Sequence, residues 1–295
     1  MRVFVTGAAG FIGSELIPEL IGAGHSVLGL ARNDANAKKL FELGAEVHRG
    51  DLTDLASLRS GAEKSDAVVH LAFVHDFTKF AENCAIDKAA IDAIGEVLAG
   101  TEKPLLTTGG LALMADGRSA TEDDQPSPRL PRESEAATDA LAKRGIRAST
   151  MRLPQVHDPV KQGLITYVVQ IAREKGVSAY VGQGGNRWPA AHVLDVAHLY
   201  RLALEKMAQD KSEAGKKYHA VAEEGVTMRE VAQVVGEGLK VPVVSISPEE
   251  AQAHFGWMAM FAGLDMPATS KLTRQKLGWN PTGPGMIADL KAMKY

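Results

Sequence analysis

Cysteine is nearly absent from this sequence, since Cys84 is the single cysteine among 295 residues. One thiol can form neither a disulfide within the chain nor a multi-cysteine metal cluster. No apolar run approaches the roughly 18–20 residues that span a bilayer. The N-terminal segment MRVFVTGAAG has no signal-peptide core and enters a strand at once. We therefore expect a cytoplasmic protein with no membrane partner.

An excess of positive charge is also missing. The chain has 33 Lys and Arg against 36 Asp and Glu, which gives a formal net charge of −3. This balance does not favour a nucleic-acid partner or an anionic membrane surface. Hydrophobic residues make up 45% and charged residues 23%, as in ordinary globular proteins. A folded protein that acts on a small-molecule substrate fits this composition.

Short apolar segments rich in Val and Leu recur through the first half of the chain, and most are separated by segments of helical spacing. Strands buried on both faces and joined by helices are typical of a parallel sheet. The predicted strands are residues 2–6, 26–31, 45–49, 67–72, 104–108 and 147–153.

The pattern changes after about residue 154, so we predict two parts within an α/β fold. Residues 1–154 form a Rossmann-type, doubly wound parallel sheet. Residues 155–295 form a smaller C-terminal α/β substrate lobe, some of whose segments return to the first domain. Its predicted elements are a helix at 162–175, a glycine-rich loop at 181–189, a helix at 196–208 capped by Asp195, a strand at 217–222, a helix at 227–239 and a strand at 241–246.

The strongest motif is the glycine-rich loop Thr6-Gly7-Ala8-Ala9-Gly10-Phe11-Ile12-Gly13, which follows the first strand and opens the first helix. Its glycines allow a tight turn, close approach of a pyrophosphate, and packing of the helix on the sheet. The helix N-terminus offers free N–H groups to phosphates. The alternative is a purely structural turn. The predicted cofactor-binding residues here are Gly7, Ala9, Gly10, Phe11, Ile12 and Gly13.

The end of the second strand distinguishes between the two nicotinamide cofactors. NAD-binding sites usually place a carboxylate there for the ribose hydroxyls. This chain has Arg32 instead, which can pair with a 2′-phosphate. We therefore predict NADP(H) rather than NAD(H). The alternative is that Arg32 is an ordinary solvated charge and that Asp34 supplies the carboxylate.

Further motifs resemble the extended short-chain dehydrogenase/reductase family, which includes sugar-nucleotide epimerases and dehydratases. They are Gly24-His-Ser-Val27, Gly50-Asp-Leu-Thr-Asp54, Val69-His-Leu-Ala72, Arg152-Leu-Pro154, His192-Val-Leu-Asp195 and Leu277-Gly-Trp-Asn-Pro281, so the resemblance spans nearly the whole chain. It implies that Asp51 and Leu52 flank the adenine, that Leu71 and Ala72 lie along the cofactor, and that Pro154 lies near the nicotinamide.

The chain departs from that family at its catalytic pair, a Tyr followed four residues later by a Lys. The corresponding segment begins at Pro131, and alignment on Ser134 puts Pro131 at the Tyr position and Glu135 at the Lys position. None of the five tyrosines is followed by a Lys at this spacing. The protein thus resembles an atypical member. Another group supplies the proton, or the substrate needs none from the protein, or the protein binds NADP without chemistry.

Several residues are candidates for the missing chemistry. Thr107 and Thr108 end the fifth strand, where a hydroxyl faces the ligand crevice, and Thr107 is also predicted beside the cofactor. The alternative for both is a turn residue that bonds its own backbone. His157 is a candidate for proton transfer because an unperturbed His titrates near neutrality. A structural His is the alternative.

Other residues are candidates for contacting the substrate. They are His75 with Asp76 after the fourth strand, Tyr167 on a helix, Trp188 in the glycine-rich loop, and Arg132, which can hold an anionic substrate or the cofactor. The alternatives are core packing for Tyr167, a plug at the domain junction for Trp188, and solvation for Arg132. His192, Asp195 and His198 have a spacing that resembles metal ligands, but we expect no metal there. Residues 115–135, rich in Pro, Ser and charge, predict a long surface loop of the kind that forms lids.

Three functions compete. The favoured one is an NADP(H)-dependent oxidoreductase that acts on a small carbonyl- or imine-type compound, with a non-standard proton donor. The second is a non-catalytic NADP-binding sensor or scaffold. The third is a sugar-nucleotide epimerase or dehydratase, which the missing Tyr disfavours. A monomer and a homodimer are both compatible with the sequence.

Overall fold

The computed structural model describes residues 1–112, 114–115, 117–127 and 131–295. The strands in these residues are β1 (Arg2–Thr6), β2 (Ser26–Ala31), β3 (Glu46–Arg49), β4 (Ala67–His70), β5 (Leu105–Gly110), β6 (Ala148–Leu153), β7 (Gln155–His157), β8 (Ser178–Val181), β9 (Arg187–His192), β10 (Lys217–His219), β11 (Glu223–Thr227) and β12 (Val243–Ile246).

The helices are α1 (Phe11–Gly22), α2 (Asp34–Glu42), α3 (Leu55–Glu63), α4 (Phe80–Leu98), α5 (Ser134–Lys143), α6 (Ile165–Lys175), α7 (Val193–Gln209), α8 (Met228–Leu239), α9 (Ala251–Phe255), α10 (Ala259–Ala262), α11 (Lys271–Leu277) and α12 (Met286–Ala292). Across the described ranges, none of them combines the length and apolar character needed to cross a membrane.

A seven-stranded parallel sheet forms the centre of the molecule, in the order β10-β6-β5-β4-β1-β2-β3. Its central strands are apolar on both faces because helices cover both sides; Val3, Phe4 and Val5 are fully buried. The chain order reverses where β1 pairs with both β2 and β4. In such sheets this switch point opens a crevice at the carboxyl ends of the strands. The predicted Rossmann-type fold is confirmed.

The second lobe contains the three-stranded sheet β11-β9-β7 and the parallel pair β12-β8. Helices α6, α8 and α12 and the segment 251–266 cover a separate apolar core around Trp188 and Phe255. Residues 193–219 leave this lobe again. Helix α7 packs on α1, and β10 extends the large sheet beside β6. The lobe is therefore built from two separate stretches of the chain rather than from one block after residue 154.

Helix α7 begins differently from the prediction that Asp195 caps it. His192 occupies the N-cap position, and its ring nitrogen accepts a hydrogen bond from the Leu194 N–H. Asp195 lies in the first helical turn. Its carboxylate accepts hydrogen bonds from the backbone N–H groups of Thr282 (3.0 Å) and Gly283 (2.8 Å), so it fixes the C-terminal segment against α7.

A fully buried guanidinium, that of Arg152 on β6, joins several elements at the carboxyl end of the sheet. Its Nε and Nη2 donate to the two oxygens of Glu135 on α5 at 2.8 and 2.6 Å. Nη1 lies 3.0 Å from Nε2 of His219 on β10. Burial and the nearby Arg152 cation lower the pKa of His219 to about 4, so this ring stays neutral at pH 7.

The segment predicted as a lid is tied to the same guanidinium. Nη2 of Arg152 donates to the backbone carbonyl of Asp124 at 2.6 Å. The Glu122 carboxylate in turn accepts from the N–H and hydroxyl of Thr273 at 2.8 and 2.7 Å. Residues 116 and 128–130 of the predicted loop lie outside the described residues. The described part is thus anchored at 122–124 to β6 and α11.

Replacing Glu135 tests how much this pair stabilises the fold. Glu135→Ala leaves a buried guanidinium without its carboxylate, and we expect the free energy of unfolding to fall by about 3–5 kcal/mol. Glu96→Ala is the matched control, because Glu96 pairs with Arg59 at 2.8 Å on the surface. Its loss should cost less than about 1 kcal/mol. Urea denaturation measures both, and equal effects would contradict a structural role for the buried pair.

Candidate active site

A cleft of about 920 Å³ lies along the carboxyl ends of the parallel strands and continues against the second lobe. One end is lined by the glycine-rich loop and the end of β2. The other end is lined by residues 71–77 after β4, the end of β5 and helix α6. The cleft therefore occupies the crevice that the strand order creates at the switch point.

The glycine-rich loop approaches the end of β4 so closely that side chains are excluded. Gly7 has φ +66°, and a Cβ there would lie 2.8 Å from the backbone nitrogen of Ala72. A Cβ on Gly13 would lie 2.4 Å from the Gly7 carbonyl oxygen. Gly10 is the N-cap of α1 and has no side chain to cap the first N–H groups. This arrangement suits a phosphate group at the helix N-terminus.

Basic side chains surround this end of the cleft. Arg32 is exposed and lines the cleft, and it forms no ion pair with any residue the structure describes. Asp34, the alternative ribose ligand, instead binds Arg49 at 2.6 Å. The Lys39 ammonium donates to the Ala9 carbonyl at 3.1 Å and so lies against the glycine loop. Lys39 was not among the residues predicted from the sequence, although it lies only seven residues after Arg32.

Most residues that the sequence predicted for the cofactor, from the glycine loop, the end of β2 and the family resemblance, lie on this cleft. They are Gly7, Ala9, Gly10, Phe11, Ile12, Gly13, Arg32, Asp51, Leu52, Leu71, Ala72 and Pro154. Because they come from five separate segments of the chain, it is the fold of the sheet that brings them together. Their cofactor contacts stay a prediction.

The two threonines at the end of β5 point in opposite directions. Thr107 is fully buried away from the cleft, and its hydroxyl lies 2.7 Å from that of Thr138 on α5. Thr108 lines the cleft. Its hydroxyl donates to the His70 carbonyl at 2.7 Å and accepts from the Tyr200 hydroxyl at 2.8 Å. With its hydrogen committed to a backbone carbonyl, Thr108 offers the cleft an acceptor rather than a proton.

A buried chain of polar groups runs behind the cleft from the glycine loop to helix α5. The Thr6 hydroxyl lies 2.8 Å from Nδ1 of His70, and Nε2 of His70 lies 3.1 Å from the Asp87 carboxylate. The second Asp87 oxygen accepts from the Ser134 hydroxyl. Burial alone would raise the pKa of Asp87, but the His70 and Ser134 hydrogen bonds and the Arg132 charge hold it below its usual value.

This chain of groups was not found from the sequence. Asp87 lies in the middle of the apolar-rich helix α4. The signal in the sequence is this carboxylate among apolar neighbours, since a carboxylate buried there requires partners. The segment that aligns with the family's catalytic pair also forms buried polar contacts. Ser134 binds Asp87, and Glu135 binds Arg152. Both side chains line the cleft but are engaged in structural hydrogen bonds.

The structure places His157 and Trp188 away from the residues that line the cleft. His157 is fully buried on β7, with Nδ1 at 2.7 Å from the Asp289 carboxylate. Burial lowers its pKa despite this partner. Trp188 is fully buried in the core of the second lobe, and its indole N–H donates to the Leu264 carbonyl at 3.1 Å.

The residues with metal-like spacing have separate partners. The His192 ring caps α7, the Asp195 carboxylate binds backbone N–H groups of the C-terminal segment, and His198 lies 2.8 Å from Glu19. In the described part of the chain, no group of three or more His, Cys, Asp or Glu side chains is arranged to hold a metal ion.

The far end of the cleft is aromatic. Phe77 stacks on Trp257 with ring centroids 4.7 Å apart and an angle of 6° between the planes. Tyr167 meets the edge of Trp257 at 5.0 Å. Phe77, Tyr167 and Phe261 line the cleft. We call Phe77, Tyr167, Trp257 and Phe261 the aromatic wall.

Two predicted polar residues, His75 and Arg132, lie on the cleft beside this wall. The His75 ring opens into the cleft, but the surrounding walls limit its solvation. This desolvation, together with the positive charges of Arg132 and Lys161, lowers the pKa of His75. The protonated form of the ring is therefore disfavoured.

The sheet and its glycine-loop cleft define an α/β protein with a Rossmann-type fold. The model of the NAD dependent epimerase/dehydratase family matches residues 3–91. An uncharacterized protein of Schizosaccharomyces pombe is 47% identical over the full length of both chains. The chain belongs to the NAD dependent epimerase/dehydratase family.

More distant relatives extend the comparison. The 2-alkyl-3-oxoalkanoate reductase of Stenotrophomonas maltophilia is 27% identical over 83% of this chain and 77% of its own length. The crystal structure of DesIV, a dTDP-glucose 4,6-dehydratase from Streptomyces venezuelae with NAD and TYD bound, superposes with a TM-score of 0.75 at 20% identity. The superposition covers 99% of this chain and 96% of the DesIV chain. Reductases and sugar-nucleotide enzymes thus share this fold.

Two glycines of helix α1 give a matched test of the loop geometry. Gly13→Ala puts a methyl group against the Gly7 and Ala8 carbonyls, and we expect it to cost about 1–3 kcal/mol of stability. Gly22→Ala meets no atom within 4 Å and should stabilise the protein by up to about 1 kcal/mol. Thermal denaturation measures both variants. A neutral Gly13→Ala would show that the loop does not hold the helix as closely as described.

Proposed function

We propose that this protein is an NADP(H)-dependent oxidoreductase that acts on a small carbonyl- or imine-type compound. One observation carries the proposal. A single cleft joins the glycine-rich loop and its basic side chains at one end to the aromatic wall at the other. The second end also carries the Arg132 cation and the exchangeable protons of His75 and Tyr167. Such a cleft can bring a dinucleotide and a small organic molecule into contact.

The residues at the first end fit a nicotinamide dinucleotide. In this proposal the N–H groups of Phe11, Ile12 and Gly13 at the start of α1 would hold its pyrophosphate, and Asp51 and Leu52 on the cleft would contact its adenine end. The bound cofactor would supply a hydride to the substrate. Arg32 and Lys39 support NADP(H) over NAD(H), because two cations beside the glycine loop suit an additional phosphate. The carboxylate that would favour NAD, Asp34, is held by Arg49.

Reduction of a carbonyl also requires a proton. Thr108 has committed its hydroxyl hydrogen to His70, and Ser134 has committed its own to Asp87. Among the described residues at the aromatic end, His75 and Tyr167 line the cleft with exchangeable protons. We assign the proton donation to one of these two groups, either the Tyr167 hydroxyl or the minor protonated form of the His75 ring, in place of the family's Tyr and Lys.

The relatives agree with this choice but do not decide it. The oxoalkanoate reductase named above reduces a carbonyl compound by its name, whereas DesIV acts on a sugar nucleotide. An aromatic wall suits a hydrocarbon better than a nucleotide diphosphate. The engaged Ser134 and Glu135 side chains favour a second candidate, a non-catalytic NADP sensor. Absence of NADPH oxidation across a broad panel of ketones, aldehydes and imines, with NADPH binding intact, would favour the sensor.

Cofactor preference is tested by fluorescence titration of the purified protein with NADPH and with NADH. We expect tighter binding of NADPH, and Arg32→Asp should weaken it by roughly 10–100-fold, because a charge-assisted phosphate contact becomes a repulsion. NADH binding should change little. Lys38→Asp is the charge-matched control, since Lys38 is exposed on α2, the helix that follows Arg32, and lies outside the cleft. Equal affinity for the two cofactors would contradict the NADP(H) assignment.

The proton donor is tested by His75→Gln and Tyr167→Phe, measured by the rate of NADPH consumption with the best substrate of the panel. Loss of a general acid typically lowers kcat by about 10²–10⁴-fold, and we expect this for one of the two variants. Val160→Ala is an exposed control. Full activity in both variants, singly and combined, would remove these residues from the mechanism.

A further inference from the structure

We propose that the substrate is an organic anion, an oxo acid whose carboxylate binds Arg132 and whose hydrocarbon part lies on the aromatic wall. This inference rests on the proposed reductase function for its turnover step. Its binding step can be tested without turnover.

Arg132 is held rigidly by neutral groups. Its Nε donates to the Ser134 hydroxyl at 2.9 Å, and its Nη2 donates to the Thr108 carbonyl at 3.0 Å. The guanidinium carbon lies 4.5 Å above the ring of Phe73. These three contacts fix the side chain without neutralising it, and within the described ranges Arg132 forms no ion pair.

The nearby carboxylates are committed elsewhere. Glu135 is bound by both nitrogens of Arg152, and Asp87 by His70 and Ser134. Asp76 accepts from the backbone and hydroxyl of Thr78. The Asp87 carboxylate interacts with the Arg132 charge but is linked to it only through the Ser134 hydroxyl, so among the described residues no carboxylate binds this half-buried guanidinium directly. A fixed guanidinium matches the geometry of a carboxylate. The cleft therefore presents an anion site that the protein itself does not fill.

Gly110 leaves open space beside this cation. If residue 110 had a Cβ, the nearest atom to it would be Nη1 of Arg132, 4.0 Å away. Nη1 makes no hydrogen bond to any described residue. It therefore has hydrogens available on the side where a ligand oxygen can enter.

The cofactor does not account for this cation. The basic residues beside the glycine loop are Arg32, Lys39 and Lys161, the last with its ammonium 5.4 Å from the Phe11 ring centre. Arg132 contacts β5, α5 and Phe73 instead. An anion bound there lies at the substrate end of the cleft.

The aromatic wall specifies the rest of the ligand. Phe73 lies 5.5 Å from His75 and 6.2 Å from Phe80, and Phe80 lies 5.7 Å from Phe77, so a continuous row of rings leads from Arg132 to the wall. A molecule with a carboxylate at one end and an aryl or alkyl group at the other matches both features. In the proposed reaction, bound NADPH would give a hydride to the ketone carbon and leave as NADP⁺, and the ketone oxygen would take a proton from a cleft side chain.

The experiment compares acids with neutral analogues of the same shape. Binding of phenylacetate and phenylacetamide to the NADP⁺-loaded protein is followed by tryptophan fluorescence. Trp257 is half-buried at the wall, whereas Trp188 and Trp279 are buried in the cores. Turnover is measured with phenylpyruvate against phenylacetone, and with pyruvate, 2-oxobutyrate and acetoacetate against the matching methyl ketones.

We expect acids to be preferred by roughly 10–100-fold in both Kd and kcat/KM, as for a charge-assisted contact. Arg132→Gln should abolish this preference, and Arg132→Lys should restore part of it, because a charge remains without the fork geometry. Lys79→Gln is the control, since Lys79 is an exposed cation near His75 but does not line the cleft.

The outcomes separate the two proposals. Arg132-dependent binding of phenylacetate without any NADPH oxidation would retain the anion site and remove the reductase function. Turnover of neutral ketones as fast as acids, unchanged in Arg132→Gln, would retain the reductase and overturn the anion site. The anion site would also be overturned if no acid bound. It would be overturned as well if Arg132→Gln weakened NADPH binding and left acid binding unchanged.

Discussion

The buried guanidinium of Arg152 is the contact on which the substrate side of the cleft depends. It lies at the end of β6 and holds α5 through Glu135, β10 through His219, and the segment 122–124 through backbone carbonyls. Burying such a charge costs several kcal/mol unless every donor is used. Because these partners use its donors, the start of α5 is fixed, and with it the side chains of Arg132 and Ser134.

The same contacts hold the segment that aligns with the family's Tyr and Lys pair. At the start of α5, Ser134 and Glu135 bind Asp87 and Arg152. In the proposed function, the proton donor therefore lies across the cleft, at His75 or Tyr167, and the substrate-binding charge at Arg132. Under that proposal the cofactor end of the cleft follows the family pattern and the substrate end departs from it.

The sequence predicted the parts of the molecule that local patterns determine. The strand, glycine loop and helix over residues 2–22 are contiguous, so β1 and α1 were located from spacing alone. Opposite orientation of Thr107 and Thr108 also follows from strand alternation, but which of them faces the cleft depends on pairing with β4 and β6. His157 and Trp188 are candidates from the sequence because His157 follows the Arg152-Leu-Pro154 motif and Trp188 lies in the glycine-rich loop. Strands β7 and β9 instead bury them, a consequence of tertiary packing that no local pattern contains.

Helix α7 has a consequence for how this chain is made. The apolar residues Leu16 and Leu20 of α1 are fully buried in a core that includes Leu199 and Ala203 of α7. Almost two hundred residues separate the two surfaces along the chain. During synthesis from the N-terminus, the first nucleotide-binding unit therefore leaves the ribosome with one apolar face uncovered, and it stays so until α7 emerges. A nascent chain arrested before α7 should need a chaperone, whereas the completed chain covers the face itself.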